Sequence, residues 1–247
     1  MERCGAARKV LRLHDPPIMR VTQTLVPVRF ADRRNAGAVL ASHLRMYEGR
    51  SDLVVLALPR GGVPVAYEVA CALEAPLDVF VVRKLGVPGH PEFAMGAIAG
   101  GGISVFDQDV IAANAISERA LAAVVQREQV ELARREKIYR ASCPSVPVAG
   151  QVVIVVDDGL ATGSTMRAAV LALRQQGPAG IVVAVPVGSR QACDALNEVA
   201  DQVICPLTPE PFSAVGPWYA DFSETTDDEV RYLLRKPTAA GPEKRSA

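Results

Sequence analysis

The sequence lacks most of what would point to metal, membrane or nucleic-acid chemistry. Its 27 acidic and 27 basic residues cancel, which leaves no electrostatic footprint for nucleic acid or an anionic membrane. No apolar run approaches the roughly 18 residues that a membrane helix needs. The histidines, His14, His43 and His90, share no ligand spacing, which argues against a zinc site. Five cysteines are scattered through the chain with no C-x-x-C pair. They make no disulfide framework and suit small core positions in a reducing, cytoplasmic compartment. The N-terminus carries Arg3, Arg8, Lys9 and Arg12 without an apolar stretch, so no signal peptide is expected. Aromatics are few, with a single tryptophan, so a local cluster of them stands out.

What is present centres on Gln151 to Thr165, QVVIVVDDGLATGST. Val152 to Val156 is a continuous β-branched run, suited to a strand covered on both faces of a parallel sheet. Asp157 and Asp158 follow where that strand leaves the sheet. Ala161, Thr162, Gly163, Ser164 and Thr165 form a small-residue turn, and a helical pattern runs from Met166 to Gln176 and stops at Gly177. Unsatisfied backbone N–H groups at a helix N-terminus attract anions, and small residues let a phosphate approach them. Paired carboxylates suit sugar hydroxyls or a metal ion. A plain strand-to-helix turn with an aspartate cap is the alternative, but it needs only one acid and one small residue.

This stretch resembles the phosphoribosyl diphosphate (PRPP) signature of the type I phosphoribosyltransferases. The resemblance implies that Asp157 and Asp158 hold the ribose 2- and 3-hydroxyls. It also implies that Ala161, Thr162, Gly163, Ser164 and Thr165 cradle the 5-phosphate. Purine-salvage members often carry an aspartate where this chain has Ala161, which weakens a purine-salvage reading. The implied reaction transfers the phosphoribosyl group of Mg-PRPP to a nitrogen nucleophile with release of pyrophosphate. Mg²⁺ would arrive with PRPP, held in part by Asp157 and Asp158. The combination of FADRRNAG, ALPRGG, VRKLG and VVDDGLATGST is similar to a bacterial branch known only as predicted phosphoribosyltransferases, with the acceptor unassigned.

A second strand-turn-helix unit begins at Leu53 to Leu58 and continues into Pro59, Arg60, Gly61 and Gly62. Arginine among glycines can pair bidentately with phosphate oxygens; a simple glycine turn with a surface arginine is the other reading. The family resemblance assigns this loop to pyrophosphate, with a non-proline cis peptide at Pro59–Arg60. A third strand, Asp78 to Val82, ends in Arg83 and Lys84, placed as a polyanion clamp at the ligand-binding edge of a parallel sheet. Leu85 to Gly102 is glycine-rich and aperiodic and reads as a mobile loop of active-site-lid length. His90 and Glu92 on it are candidates for proton handling or are simply solvated. Pro206 to Phe222 gathers Phe212, Val215, Trp218 and Tyr219, and Val215 and Tyr219 are the expected contacts to the acceptor.

Buried strands alternating with helices predict an α/β fold with a doubly wound, mainly parallel sheet. The expected organisation is an irregular extension over 1–27, a phosphoribosyltransferase-like domain over 28–236 with a hood from about 206, and a disordered tail over 237–247. The strands ending at Pro59–Arg60 and Asp157–Asp158 are expected to be neighbours at the topological switch point. No nucleic-acid or membrane partner is expected, and a homo-oligomer is compatible with the sequence. The alternative to an enzyme is a PRPP-binding sensor without turnover.

Overall fold

A computed structural model describes residues 29–140 and 145–238. The expected extension over 1–27, and the tail from 239 onward, lie outside the described residues. In chain order the elements are α1 (Arg33–Ser42), β1 (Leu53–Ala57), α2 (Gly62–Ala72), β2 (Leu77–Val79), β3 (Val82–Val87), β4 (His90–Ala99) and β5 (Ile103–Phe106). There follow α3 (Gln108–Ala113), α4 (Glu118–Arg140), β6 (Val152–Val156), α5 (Ser164–Arg174), β7 (Gly180–Ala184), α6 (Arg190–Leu196), β8 (Gln202–Ile204) and α7 (Asp227–Arg235).

Five strands form a parallel sheet in the order β2-β1-β6-β7-β8. Chain order reverses between β1 and β6, so the switch point falls where the sequence predicts it. Every residue of β1 and all but the first of β6 are buried, because helices cover both faces. The alternating residues of these strands feed two apolar cores. Val55, Ala57, Ile154 and Val156 pack with α2, while Val54, Leu56, Val153 and Val155 pack with α5. At about 25 cal/mol per Å² of apolar surface removed from water, these valine- and leucine-rich faces supply most of the fold's driving force. Helix ends are capped as the sequence suggests: Asp32, Ser189 and Thr226 each accept a backbone N–H of the following turn.

Two segments differ from the sequence reading. Leu85 to Gly102 is not an aperiodic loop. β3, β4 and β5 make a three-stranded antiparallel sheet, with Gly89 at the β3–β4 turn in the left-handed region (φ 84°). Its small residues are packing residues: Ala97 and Ala99 lie against the core that includes Ala168, Ala169 and Leu173 of α5. In β4 the buried Met95 and Ile98 are separated by Gly96 and Ala97, and with Gly86, Pro88, Gly89 and Pro91 nearby the segment shows no regular apolar alternation to read. The third strand also divides. β2 ends at Val79, and β3 starts a different sheet at Val82. His43 is half-buried, and its Nε2 is buried with no hydrogen-bond partner among the described residues.

Candidate functional site

The parallel pairing of β1 with β6 sets Ala57 opposite Val156, so the loops leaving both strands emerge side by side. The peptide bond between Pro59 and Arg60 is cis, as the resemblance implies. Gly61 and Gly62 then run directly against the acid pair. A Cβ on Gly61 would sit 2.0 Å from Asp158 Oδ2, and one on Gly62 would meet Val156 O at 2.7 Å and Asp157 Oδ1 at 3.1 Å. Only glycine permits this approach, and the two loops form one continuous surface at the strand ends.

Asp157 Oδ1 accepts the Asp158 N–H at 2.9 Å. Burial pushes the Asp157 carboxyl well above the ordinary carboxylate range, and the neighbouring Asp158 charge adds to it. Burial also raises Asp158, and the Arg33 guanidinium opposes that rise without cancelling it. Arg33 Nε donates to Asp158 Oδ2 at 2.8 Å, with both side chains largely buried. Its Nη1 donates to Ser223 O at 2.6 Å, and the guanidinium lies 4.0 Å from the centroid of the Phe222 ring. Arg33 thus ties α1, the acid pair and the 218–223 segment together. The sequence reading did not single it out. It stands in the quoted FADRRNAG stretch, but nothing local shows that a helix-start arginine reaches a carboxylate 125 residues away.

Tyr219 is placed differently from the expectation. It is 1% exposed, its hydroxyl donates to the Asp158 backbone carbonyl at 2.5 Å, and its ring packs on Phe30 and Phe222. It is therefore a buried support of the acid pair, not a surface that touches an acceptor. Val215 does face the signature loop: a Cβ on Gly159 would come within 2.6 Å of its Cγ1. Phe212 and Trp218 stack with ring centroids 6.4 Å apart and pack with Phe30 and Tyr219.

The small-residue turn lies open. Ala161, Thr162 and Thr165 are exposed, and Gly163 takes the left-handed conformation (φ 72°) that opens α5. Thr162 Oγ1 and Ser164 Oγ lie 3.2 Å apart. The turn is held from below, where Ser189 N–H donates to Leu160 O at 2.9 Å and Ser189 Oγ to Ala161 O at 2.8 Å. The first amides of α5 have no intrahelical partner, and the Ser164 N–H reaches Thr162 Oγ1 at 3.4 Å. A cavity of about 350 Å³ between β4, β5 and α5 adjoins this turn through Ser164 and Arg167.

The cations are distributed unequally. Arg60 pairs through Nη2 with Glu224 and lies 4.0 Å from Asp227. Arg83 and Lys84 do not form a joint clamp, because strand alternation sends them to opposite faces of β3. Arg83 donates through Nε and Nη2 to Glu128 Oε2 on α4 at 2.9 and 2.6 Å. Burial works to raise Glu128, but Arg83 and Arg127 outweigh it and hold the carboxyl below its usual range. Lys84 shares a face with Val82, which packs in the core that α5 joins, so Lys84 lies on the α5 side of β3. His90 is exposed at the start of β4, and the Glu92 side chain lies outside the described residues.

Among the described residues no group of three or more His, Cys, Asp or Glu could hold a metal ion, and no helix is long and apolar enough to cross a membrane. The loops after β1 and β6, with the acid pair, the glycine loop against it and the small-residue turn, meet at the C-terminal edge of the parallel sheet, the ligand-binding edge of open α/β folds. The comparisons make this specific: residues 32–218 match the Phosphoribosyl transferase domain, and the chain belongs to that family. It is 46% identical over 205 residues to the "Putative phosphoribosyl transferase Rv0571c" of Mycobacterium tuberculosis strain H37Rv. That match covers 83% of this chain and 46% of the relative, so the chain spans about half the length of the curated relatives it matches. It also resembles the crystal structure of TT1426 from Thermus thermophilus, with a TM-score of 0.77 and 44% identity, covering 83% of this chain and 97% of that one.

Proposed function

We propose that this protein binds Mg-PRPP and transfers its phosphoribosyl group to a nitrogen nucleophile, in the nucleotide metabolism of the cytoplasm. The observation that carries the reading is the contact of Gly61 and Gly62 with Asp157 and Asp158 across two adjacent strand ends. It brings a loop suited to pyrophosphate and a loop suited to ribose 5-phosphate to one place.

In this reading the lone pair of the nucleophile forms the bond to ribose C1 as the bond from C1 to the pyrophosphate oxygen breaks. The proton that the nucleophile then loses passes to water or to the departing pyrophosphate. Positive charge develops on the ribosyl ring and negative charge on the leaving group, so orientation and fixed electrostatics carry the catalysis. Asp157 and Asp158 bind the ribose hydroxyls, with Asp158 fixed by Arg33 and Tyr219. The amides and hydroxyls of Ala161 to Thr165 hold the 5-phosphate. Arg60 and the Gly61 backbone meet the pyrophosphate, for which Arg60 exchanges its hold on Glu224. Lys84, on the α5 side of β3, and Arg83 serve the phosphates, Arg83 by exchanging its hold on Glu128. Mg²⁺ suits this donor set, since it takes one or two carboxylates together with phosphate oxygens and water; when bound it neutralises charge on the leaving pyrophosphate. Val215 borders the acceptor side.

The test is pyrophosphate release from Mg-PRPP across a panel of nitrogenous bases and amines. Release dependent on one acceptor class supports transfer. Saturable PRPP binding with no release for any acceptor would instead support a sensor.

A further inference from the structure

Two thiols lie beneath the phosphate turn and take no part in the function proposed above. Cys193 is on α6, and Cys205 follows β8 directly. They are 12 residues apart in sequence, and both are free. Both sulfurs converge on Gly188: a Cβ there would be 3.3 Å from Cys193 Sγ and 3.4 Å from Cys205 Sγ. The third neighbour of that point is Leu160 Cβ at 3.0 Å, and Leu160 and Gly188 are paired in a parallel bridge. The thiols therefore sit around the residue on which the signature turn rests, one step from Ser189, which holds Leu160 and Ala161 by hydrogen bonds. A further contact follows on α5: a Cβ on Gly163 would lie 3.3 Å from Ala192 Cβ.

We infer that Cys193 and Cys205 form a reversible disulfide on exposure to a peroxide, and that its closure alters the phosphate turn through Gly188 and Ser189. The two thiols differ in the way such a pair requires. Cys205 Sγ donates to Leu207 O at 3.4 Å and so keeps its proton engaged; the Cys205 side chain beside it pulls the Cys193 thiol below its usual pKa, while the Cys193 side chain and burial push Cys205 up. Cys193 is thus the attacking sulfur and Cys205 the resolving one. The Cys193 thiolate attacks hydrogen peroxide, the O–O bond breaks, and a sulfenic acid and water form after proton uptake. Cys205 sulfur then attacks the Cys193 sulfur, and the second oxygen leaves as water. In total two thiols and one peroxide give one disulfide and two waters. Hydrogen peroxide supplies the two oxidising equivalents, and a dithiol reductant reverses the step.

The test is intact mass and peptide mapping of the full chain before and after hydrogen peroxide, followed by amide exchange of the two forms. The expected result is a loss of two hydrogens in mass and a mapped Cys193–Cys205 link, absent in C205S and reversed by dithiothreitol. Amide exchange over 160–165 should differ severalfold between the oxidised and reduced protein. A link through other cysteines, accumulation of sulfinic acid on Cys193 without a link, or unchanged exchange over 160–165 would each overturn the inference. None of these readouts needs PRPP, so the result stands apart from the fate of the proposed reaction.

Discussion

Replacing Asp157 by asparagine should stabilise the ligand-free protein while removing its ligand. Asp157 is half-buried beside a second carboxylate, and its side chain accepts the Asp158 N–H at 2.9 Å. Asparagine keeps a carbonyl oxygen for that bond and removes the charge. Burial first, and the Asp158 charge second, raise the Asp157 pKa far above its unfolded value. Folding therefore favours the protonated form relative to the unfolded chain. Stability from this group is complete below the unfolded pKa and is lost as pH rises up to and through the folded pKa, because over that interval the unfolded chain has released a proton that the native state still holds. Single substitutions that relieve an unfavourable charge act on the scale of about 0.5–3 kcal/mol, which is roughly 1–12 °C in Tm for a chain of this size. Thermal unfolding of both proteins from about pH 4 to 8 checks it, a window that begins near the unfolded carboxylate pKa. The difference in Tm should be near zero at the acid end and grow with pH. A gain that does not vary with pH, or a loss at the alkaline end, would refute the argument that the acid pair is held at a cost for ligand binding.

Three further outcomes follow from the geometry. Arg60→Ala should leave Tm within a degree or two, because exposed ion pairs such as that with Glu224 contribute about 0–1 kcal/mol, yet pyrophosphate affinity by calorimetry should fall at least tenfold. Arg83→Met should do the reverse: it leaves the largely buried Glu128 with Arg127 as its remaining recorded ion-pair partner, costing about 2–3 kcal/mol, and thermal unfolding should register this while PRPP affinity changes less than threefold. Tyr219→Phe removes the donor to the buried Asp158 carbonyl, for about 1 kcal/mol of stability, and should weaken PRPP binding severalfold; unchanged affinity would show that the Tyr219 hydroxyl does not position the acid pair.

The parallel sheet, its switch point and the strand-to-turn-to-helix units were legible because buried parallel strands spell continuous β-branched runs, as Val152 to Val156 does. The signature turn was legible because acid pair, glycine and hydroxyls lie in one stretch. What was not legible depends on distance in the chain. Arg33 reaches Asp158 and Tyr219 reaches the same residue only after folding, and neither carries a local pattern for that contact. The β3–β4 hairpin was hidden by its composition, since Ala94, Gly96, Ala97 and Ala99 pack by being small and leave no apolar alternation. The pairing of Arg83 and Lys84 misled for the opposite reason. Adjacent residues suggest one site, but in a strand they face apart, and the acid that selects Arg83 is on a helix 45 residues away.

The central claim is tested most directly by calorimetric titration of the intact protein with PRPP in the presence and absence of Mg²⁺, set beside an Asp157→Asn, Asp158→Asn variant shown to be folded. The account predicts saturable, Mg-dependent binding at one site per chain and its near-complete loss in the variant. Equal PRPP affinity in the two folded proteins would contradict it.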